Sequence, residues 1–354
     1  MTPATALGAR AGLDANKPST PSVTVEPHLT LPLAPPQPPS GRLRWLGLVW
    51  RALLLMFFLG VATLIVSRAS QVDWARVGDS LASYTATELL LAFFAAALGY
   101  VCTGSYDLIG RRYTGHRLPG MRVFSINAIA YAFSLNLGAL LGGWGFRVRL
   151  YTRFGLPLWV VLRIIVLAVV TNWSGFVLLS GLLLLLWPPA LPVEWAVPVA
   201  ALRGAGVLML SVIGAYLSVC AIGRRRGWTF RVRGEPMRMP SLPMALAQLT
   251  LSTASWLLMA AALALLLPAE LSFKRVVESL FLSSLAGAAL HVPGNVGVLE
   301  GSFAALMAVE LDEVDALAGI LAFRAVYFLA PFAIAGIGYA ALEASARRLR
   351  RKKG

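Results

Sequence analysis

Cysteine is nearly missing from this chain: Cys102 and Cys220 are the only two, which excludes a disulfide framework and a cysteine-built zinc site. Both lie near ends of apolar segments that the charge pattern places at the cytoplasm, so two reduced, unpaired thiols are expected. Histidine is scarce as well, with three in the whole sequence, and no metal or other cofactor is expected. Charged residues make up only 13%, too few to clothe a water-soluble globule of this size. No GxxxxGK[ST] loop, HExxH, GxSxG or pair of CxxC motifs occurs. A nucleotide-driven pump, a zincin and a serine hydrolase of the nucleophile-elbow kind are thereby excluded, and an enzyme is not the expectation.

Apolar residues are plentiful instead, at 58% with a mean hydropathy of +0.73. The net charge of +15 would suggest nucleic acid in a soluble protein. Here the arginines and lysines cluster beside apolar runs, which is the positive-inside pattern of a membrane protein, and nucleic acid is not an expected partner. A span needs about 20 mostly apolar residues. Six stretches qualify: Trp45–Val66, Thr87–Leu108, Trp159–Leu186, Val199–Ile222, Leu242–Leu267 and Leu317–Leu342. The first lacks a small-residue cleavage site and reads as an uncleaved span. Residues 1–41, with Pro35, Pro36, Pro38 and Pro39 close together, read as a disordered cytoplasmic tail. Residues 42–346 form the membrane domain and 347–354 a basic cytoplasmic tail.

Two shorter apolar stretches, 123–142 and 276–290, run into Gly143-Trp144-Gly145 and Pro293-Gly294-Asn295-Val296-Gly297. If the first crossed the membrane, Arg147, Arg149 and Arg153 would lie outside and the arginine-free loop after Leu186 inside, against the charge rule. A stretch that dips in and returns removes both conflicts. The same logic, with the C-terminal basic run held in the cytoplasm, makes the second stretch a hairpin from the periplasmic side, placing Lys274 and Arg275 outside. The expected fold is therefore an all-α polytopic membrane protein with six full spans and two oppositely oriented re-entrant hairpins; eight full spans is the alternative. Such inverted repeats place the substrate site where the broken elements meet.

The residues able to carry chemistry sit at those breaks. Arg147 and Arg149 follow the glycine run; they either end a cytoplasmic loop or clamp a phosphate through their planar forks, with Gly143 and its neighbours letting main-chain amides approach a headgroup. Glu300 follows His291, Pro293, Gly294, Asn295 and Gly297. It either stabilises a helix start or pairs with an arginine or a cationic headgroup. His291 either satisfies a hydrogen bond or responds to pH. Arg324 lies inside the last span, where it needs a partner or must snorkel, with Tyr327 one turn away and Pro331 two turns away. Asp107 and Arg111 are spaced for a local ion pair, while Arg163 and Arg203 are expected to snorkel.

These segments resemble the lysylphosphatidylglycerol synthase transmembrane-region family. Residues 127–156, with Asn136, the glycine run, Arg147, Arg149, Tyr151 and Gly155, are similar to its "N…GG…R.R.Y…G" segment. His291 to Glu300 resembles "H.PGG.GV.E", with Asn295 where a third glycine is usual. Phe323 to Pro331 resembles the closing "R..Y…P". The resemblance covers roughly residues 42–345 and implies a flippase-like domain that moves or presents a lipid. The substrate-binding set it implies is Asn136, Gly143, Arg147, Arg149, Tyr151, His291, Pro293, Gly294, Asn295, Gly297, Glu300, Arg324 and Tyr327. No soluble aminoacyl-transfer domain is evident, so lipid aminoacylation is not expected. The implied partners are membrane lipids in the bacterial inner membrane, with both termini cytoplasmic. Two other readings stand: an accessory subunit holding a lipid-modifying enzyme, for example in hopanoid or aminoacyl-lipid pathways, docked on the arginine-rich loop 223–238, and an intramembrane enzyme using Glu300 and His291.

Overall fold

The computed structural model describes Met56, Thr63 and residues 72–189, 197–232, 235–290, 295–308 and 310–351. Contacts divide the chain after Leu64, and the elements described below belong to the second unit, Ile65–Gly354. The expected 1–41 tail and most of the expected first span fall outside the described residues, as do His291, Pro293 and Gly294.

Helices dominate, and their boundaries follow from local chemistry. Asp73 caps α1 (Trp74–Ala82) by accepting from the Ala75 and Arg76 amides. Thr85 and Glu88 form a reciprocal capping box at the start of α2 (Ala86–Gly104), which satisfies amides that a helix start otherwise leaves unpaired. A short turn joins it to α3 (Tyr106–Thr114), closed by Gly115 at φ +69°. Next come α4 (Gly120–Leu137), a π-helical break (Ala139–Gly145), α5 (Phe146–Arg153), α6 (Leu158–Leu186) and α7 (Val199–Arg225). Pro119, Pro157 and Pro198 stand immediately before α4, α6 and α7. The second half holds α8 (Leu242–Ala264), α9 (Phe273–Leu290), α10 (Val298–Met307), α11 (Glu313–Phe323), a second π-helical break (Arg324–Leu329) and α12 (Ala330–Arg351).

Five helical runs among the described residues are long and apolar enough to cross a membrane: Ala86–Thr114, Leu158–Leu186, Val199–Arg225, Leu242–Ala264 and Glu313–Ser345. Each matches one of the spans expected from the sequence. The chain is a polytopic, overwhelmingly helical membrane protein. Small and hydroxylated residues let the helices approach closely, as they must where lipid offers no hydrophobic drive to associate. Gln248 Nε2 donates to Thr171 Oγ1 at 2.9 Å, Ser252 Oγ donates to the Asn172 carbonyl at 2.9 Å, and the Gly175 amide donates to Ser252 Oγ at 3.1 Å. This polar seam ties α6 to α8.

The all-α expectation needs one addition. The arginine-rich loop after α7 contains an antiparallel ribbon, β1 (Thr229–Val232) with β2 (Glu235–Arg238), in which Thr229 faces Arg238 and Val232 faces Glu235. β-Branched and aromatic residues at Thr229, Phe230 and Val232 favour the extended backbone. Arg163 is not simply snorkelling: it lies 4.5 Å above the Trp159 ring and donates Nη2 to the Pro236 carbonyl at 2.7 Å, holding the ribbon to the start of α6. Tyr113 OH donates to the Arg238 carbonyl at 2.6 Å, so the end of α3 lies there too.

Both broken stretches form antiparallel helical hairpins. In the first, the Arg122 guanidinium lies 4.6 Å over the Phe154 ring and Phe133 stacks on Phe146 at 4.1 Å, so α5 runs back along α4. Arg111 Nε donates to the Leu118 carbonyl at 2.7 Å, placing the open end of this hairpin at the ribbon end. In the second, Arg275 at the start of α9 pairs with Glu310 at 2.8 Å and donates to the Leu306 carbonyl at 2.8 Å beyond the middle of α10. That hairpin opens toward the opposite end, where Tyr84 OH donates to the Leu266 carbonyl at 2.6 Å and Arg76 pairs with Asp312 at 3.3 Å.

Candidate functional site

The first hairpin buries a charged network. Arg147, one residue into α5, donates Nε to Asp107 Oδ2 at 3.2 Å and Nη1 to the Gly143 carbonyl at 3.4 Å, while its Nη2 reaches Asn127 Oδ1. Tyr151, one turn on, donates its hydroxyl to Asp107 Oδ2 at 2.8 Å. Asn127 in turn donates to the Thr103 carbonyl. Asp107 has no exposure at all, and such a charge persists in a low-dielectric interior only when paired and hydrogen-bonded. The expected Asp107–Arg111 ion pair is replaced by this one, because Arg111 turns to the Leu118 carbonyl. Beside Tyr151, its ring centroid 6.3 Å away, lies His116. Burial and the nearby Arg111 charge hold its imidazole below the usual range.

The glycine run works on the backbone of its own hairpin. A Cβ on Gly142 would collide with the Phe133 carbonyl, and one on Gly143 would press on Ser134. Arg149 points the other way, toward the ribbon end: its side chain is 54% exposed, 3.8 Å from Glu343 and 5.7 Å from the Tyr339 ring centroid. Arg153 also pairs with Glu343, at 3.4 Å.

The second hairpin holds the other network. Asn295 has φ +52° and Gly297 φ +76°, left-handed conformations that Gly and Asn tolerate best. The tight turn they make aims backbone groups at charged partners. Glu300 Oε2 accepts from the Gly297 amide at 2.8 Å, and Arg324 Nη2 donates to the Asn295 carbonyl at 2.8 Å. Arg324 and Glu300 form a close ion pair, both mostly buried, and the guanidinium lies 5.3 Å over the Phe328 ring. Arg324 opens the second π-helical break, a form enriched at functional sites.

Asn136 and Tyr327 lie between the networks. Asn136 Nδ2 donates to the Phe328 carbonyl at 3.2 Å, linking the first hairpin to the π-helical break. Tyr327 is fully buried, stacked on Phe323 at 5.3 Å and tilted against Tyr100 at 5.6 Å. The described members of the sequence-predicted set thus resolve into two ion-pair networks joined by Asn136 and a tyrosine cluster, with Arg149 set apart near one end. Sequence reading did not single out Asn127, Glu343 or Glu278. Asp107 carried a usable signal, since a lone carboxylate inside an apolar span is a functional candidate by default. Lys274 and Arg275, which fit the charge rule poorly, are neutralised locally by Glu278 and Glu310.

Two relatives match along most of their length. Inner membrane protein YbhN of Escherichia coli (strain K12) is 38% identical over 310 residues, covering 87% of this chain and 96% of that protein. The uncharacterized protein slr0712 of Synechocystis sp. is 29% identical over 303 residues, covering 84% and 92%. Residues 45–335 match the family described as the lysylphosphatidylglycerol synthase TM region. That match spans both hairpins and both ion-pair networks, and the chain belongs to the lysylphosphatidylglycerol synthase TM-region family.

Proposed function

We propose that this chain is a multi-pass inner-membrane protein that translocates or presents a phosphate-bearing or zwitterionic envelope lipid. The observation that carries the reading is the Arg324–Glu300 pair at the break of the second hairpin. Ionisable groups are costly within a membrane and are retained there for function. A phosphate can compete for the arginine and an ammonium for the carboxylate, so the pair offers complementary handles to a passing headgroup. The Asp107–Arg147 pair offers the same in the other hairpin, and Arg149 stands where a headgroup would enter from the ribbon end.

In this reading the two hairpins are re-entrant from opposite leaflets, between six full spans. The return limbs support it: at 1.5 Å per residue, eight residues in α5 and ten in α10 reach about 12 and 15 Å, well short of a hydrocarbon core of about 30 Å. Arg111, Arg112, Arg117, Arg122, Arg224, Arg225 and Arg238 gather toward the ribbon end, which we assign to the cytoplasm with both termini. Transport then follows from rocking one half against the other around the paired charges. The family is described as the TM region of a synthase and one relative is named an inner membrane protein, which supports the membrane setting of this reading. The test is headgroup translocation in vesicles containing purified protein. Arg324→Ala and Glu300→Gln are expected to lower the rate at least tenfold; unchanged rates in both remove the pair from the mechanism.

A second reading, an accessory subunit for a lipid-modifying enzyme, draws support from the ribbon. A cavity of about 480 Å³ there is lined by Arg224, Trp228, Thr229 and Arg238, a surface suited to an acidic partner. A stoichiometric enzyme that co-purifies with the parent and is lost on Arg224→Glu, with no transport by the pure protein, selects it.

A further inference from the structure

Away from both networks, a narrow groove runs between the second half of α6 and the middle of α9, with Met209 of α7 on one wall. Its floor is apolar: Phe176, Leu183, Phe281 and Leu285. Phe176 and Phe281 meet at 5.1 Å between ring centroids and fix the level of the two helices. Ser180 lies four residues beyond Phe176 and Glu278 three residues before Phe281, displacements of about 6 and 4.5 Å along antiparallel axes. Both therefore stand one turn nearer the same mouth, the end away from the ribbon, where Pro189 also lines the groove.

Both polar residues keep hydrogen-bonding capacity. Ser180 is 8% exposed, yet among the described residues its hydroxyl has no hydrogen-bond partner. Thr171 shows the ordinary solution, a bond back to its own helix at the Leu167 carbonyl, 2.7 Å away; Ser180, like Ser279 and Ser283 of α9, makes none among the described residues. Glu278 is 5% exposed. Its Oε2 is 3.6 Å from Arg275, whose guanidinium is committed to Glu310 and the Leu306 carbonyl. Among the described residues its Oε1 makes no hydrogen bond, and it pairs with Lys274 Nζ at 3.3 Å, on a side chain that is 49% exposed.

A carboxylate, an unpartnered hydroxyl and a half-exposed ammonium at the mouth of an apolar slot make an amphiphile-shaped site. We propose that the groove binds one phospholipid of the zwitterionic class, with an acyl chain on Phe176, Met209 and Phe281, the headgroup ammonium on Glu278 and the phosphate on Lys274 and Ser180 Oγ. The slot is narrow, about 60 Å³. It admits methylenes and keeps the headgroup outside, at the mouth. The assignment rests on the reading of the chain as a lipid-handling protein and narrows its ligand to headgroups carrying both charges.

The test is native mass spectrometry of the full chain, released from detergent with added phosphatidylethanolamine or phosphatidylglycerol of equal chain length. The parent is expected to retain phosphatidylethanolamine about tenfold more strongly, and Glu278→Gln to abolish that preference. Leu285→Trp, which fills the slot without touching a charge, is expected to lower retention of both lipids, with thermal unfolding confirming that each variant folds. Equal retention of the two lipids by the parent, or a preference that survives Glu278→Gln, overturns the site. Because retention is measured without transport, a failed translocation assay leaves this result standing, and a failed retention assay leaves the Arg324–Glu300 reading standing.

Discussion

Arg147 donates to Asp107 across forty residues of sequence and 3.2 Å of space, in a pocket where the carboxylate has no exposure. Asn127, Gly143 and Tyr151 supply the remaining hydrogen bonds. Removing one partner of a buried pair strands the other's charge, at a cost of about 3–5 kcal/mol, whereas replacing both with apolar residues is often neutral. Asp107→Ala alone is expected to lower the thermal midpoint sharply or prevent accumulation. Asp107→Leu combined with Arg147→Met is expected to recover most of that loss in thermal unfolding of purified protein. A double variant no more stable than the single one contradicts the pairing.

The second pair is expected to behave differently under charge reversal. Arg324 both neutralises Glu300 and donates to the Asn295 carbonyl, while Glu300 accepts from the Gly297 amide. A carboxylate at position 324 cannot donate, and a guanidinium at position 300 cannot accept. Glu300→Arg with Arg324→Glu therefore restores electroneutrality without restoring the turn, and vesicle translocation is expected to stay as low as in either single variant. Recovery to half the parent rate or more shows that charge alone matters. Arg324→Lys is expected to be intermediate, since it keeps the charge and loses the fork.

Local signals made most of the helices legible. The expected spans Trp159–Leu186 and Val199–Ile222 become Leu158–Leu186 and Val199–Arg225, because an unbroken apolar run carries its own length in the sequence. The breaks were visible too, as glycine and proline clusters. The pairings were not: which carboxylate meets Arg147 depends on how α5 folds back past α3, and spacing along one helix suggested Arg111 for Asp107. The ribbon at Thr229–Arg238 is not legible in the sequence because its strands are four residues each, too short for an alternating pattern to stand out among the arginines.

The first hairpin depends on close backbone approach at one glycine. A methyl on Gly142 meets the Phe133 carbonyl and the Ser134 amide, atoms of main chain that have nowhere to go, whereas one on Gly78 of α1 meets nothing within 4 Å. Gly142→Ala is expected to split α5 from α4 and, with it, the Arg147 network. Gly78→Ala is expected to be neutral or to stabilise by about 0.5–1 kcal/mol through helix propensity. Thermal unfolding of the two variants side by side separates them; equal midpoints contradict the packing.

His116 gives the ribbon end a dependence on pH. Its Nδ1 accepts from the Leu118 amide at 3.3 Å, which only the neutral ring can do. Burial, and then the Arg111 charge, depress its pKa below the usual 6.5. The folded state thus binds fewer protons than the unfolded one between that depressed value and 6.5, so stability rises with pH across the window. Its contribution is complete above pH 6.5 and is lost as pH falls through the folded-state value. Acidification from pH 8 to 5.5 is expected to lower the thermal midpoint of the parent. His116→Asn, whose Oδ1 can accept from the Leu118 amide without titrating, is expected to flatten the slope. An unchanged slope in that variant moves the pH dependence to another group.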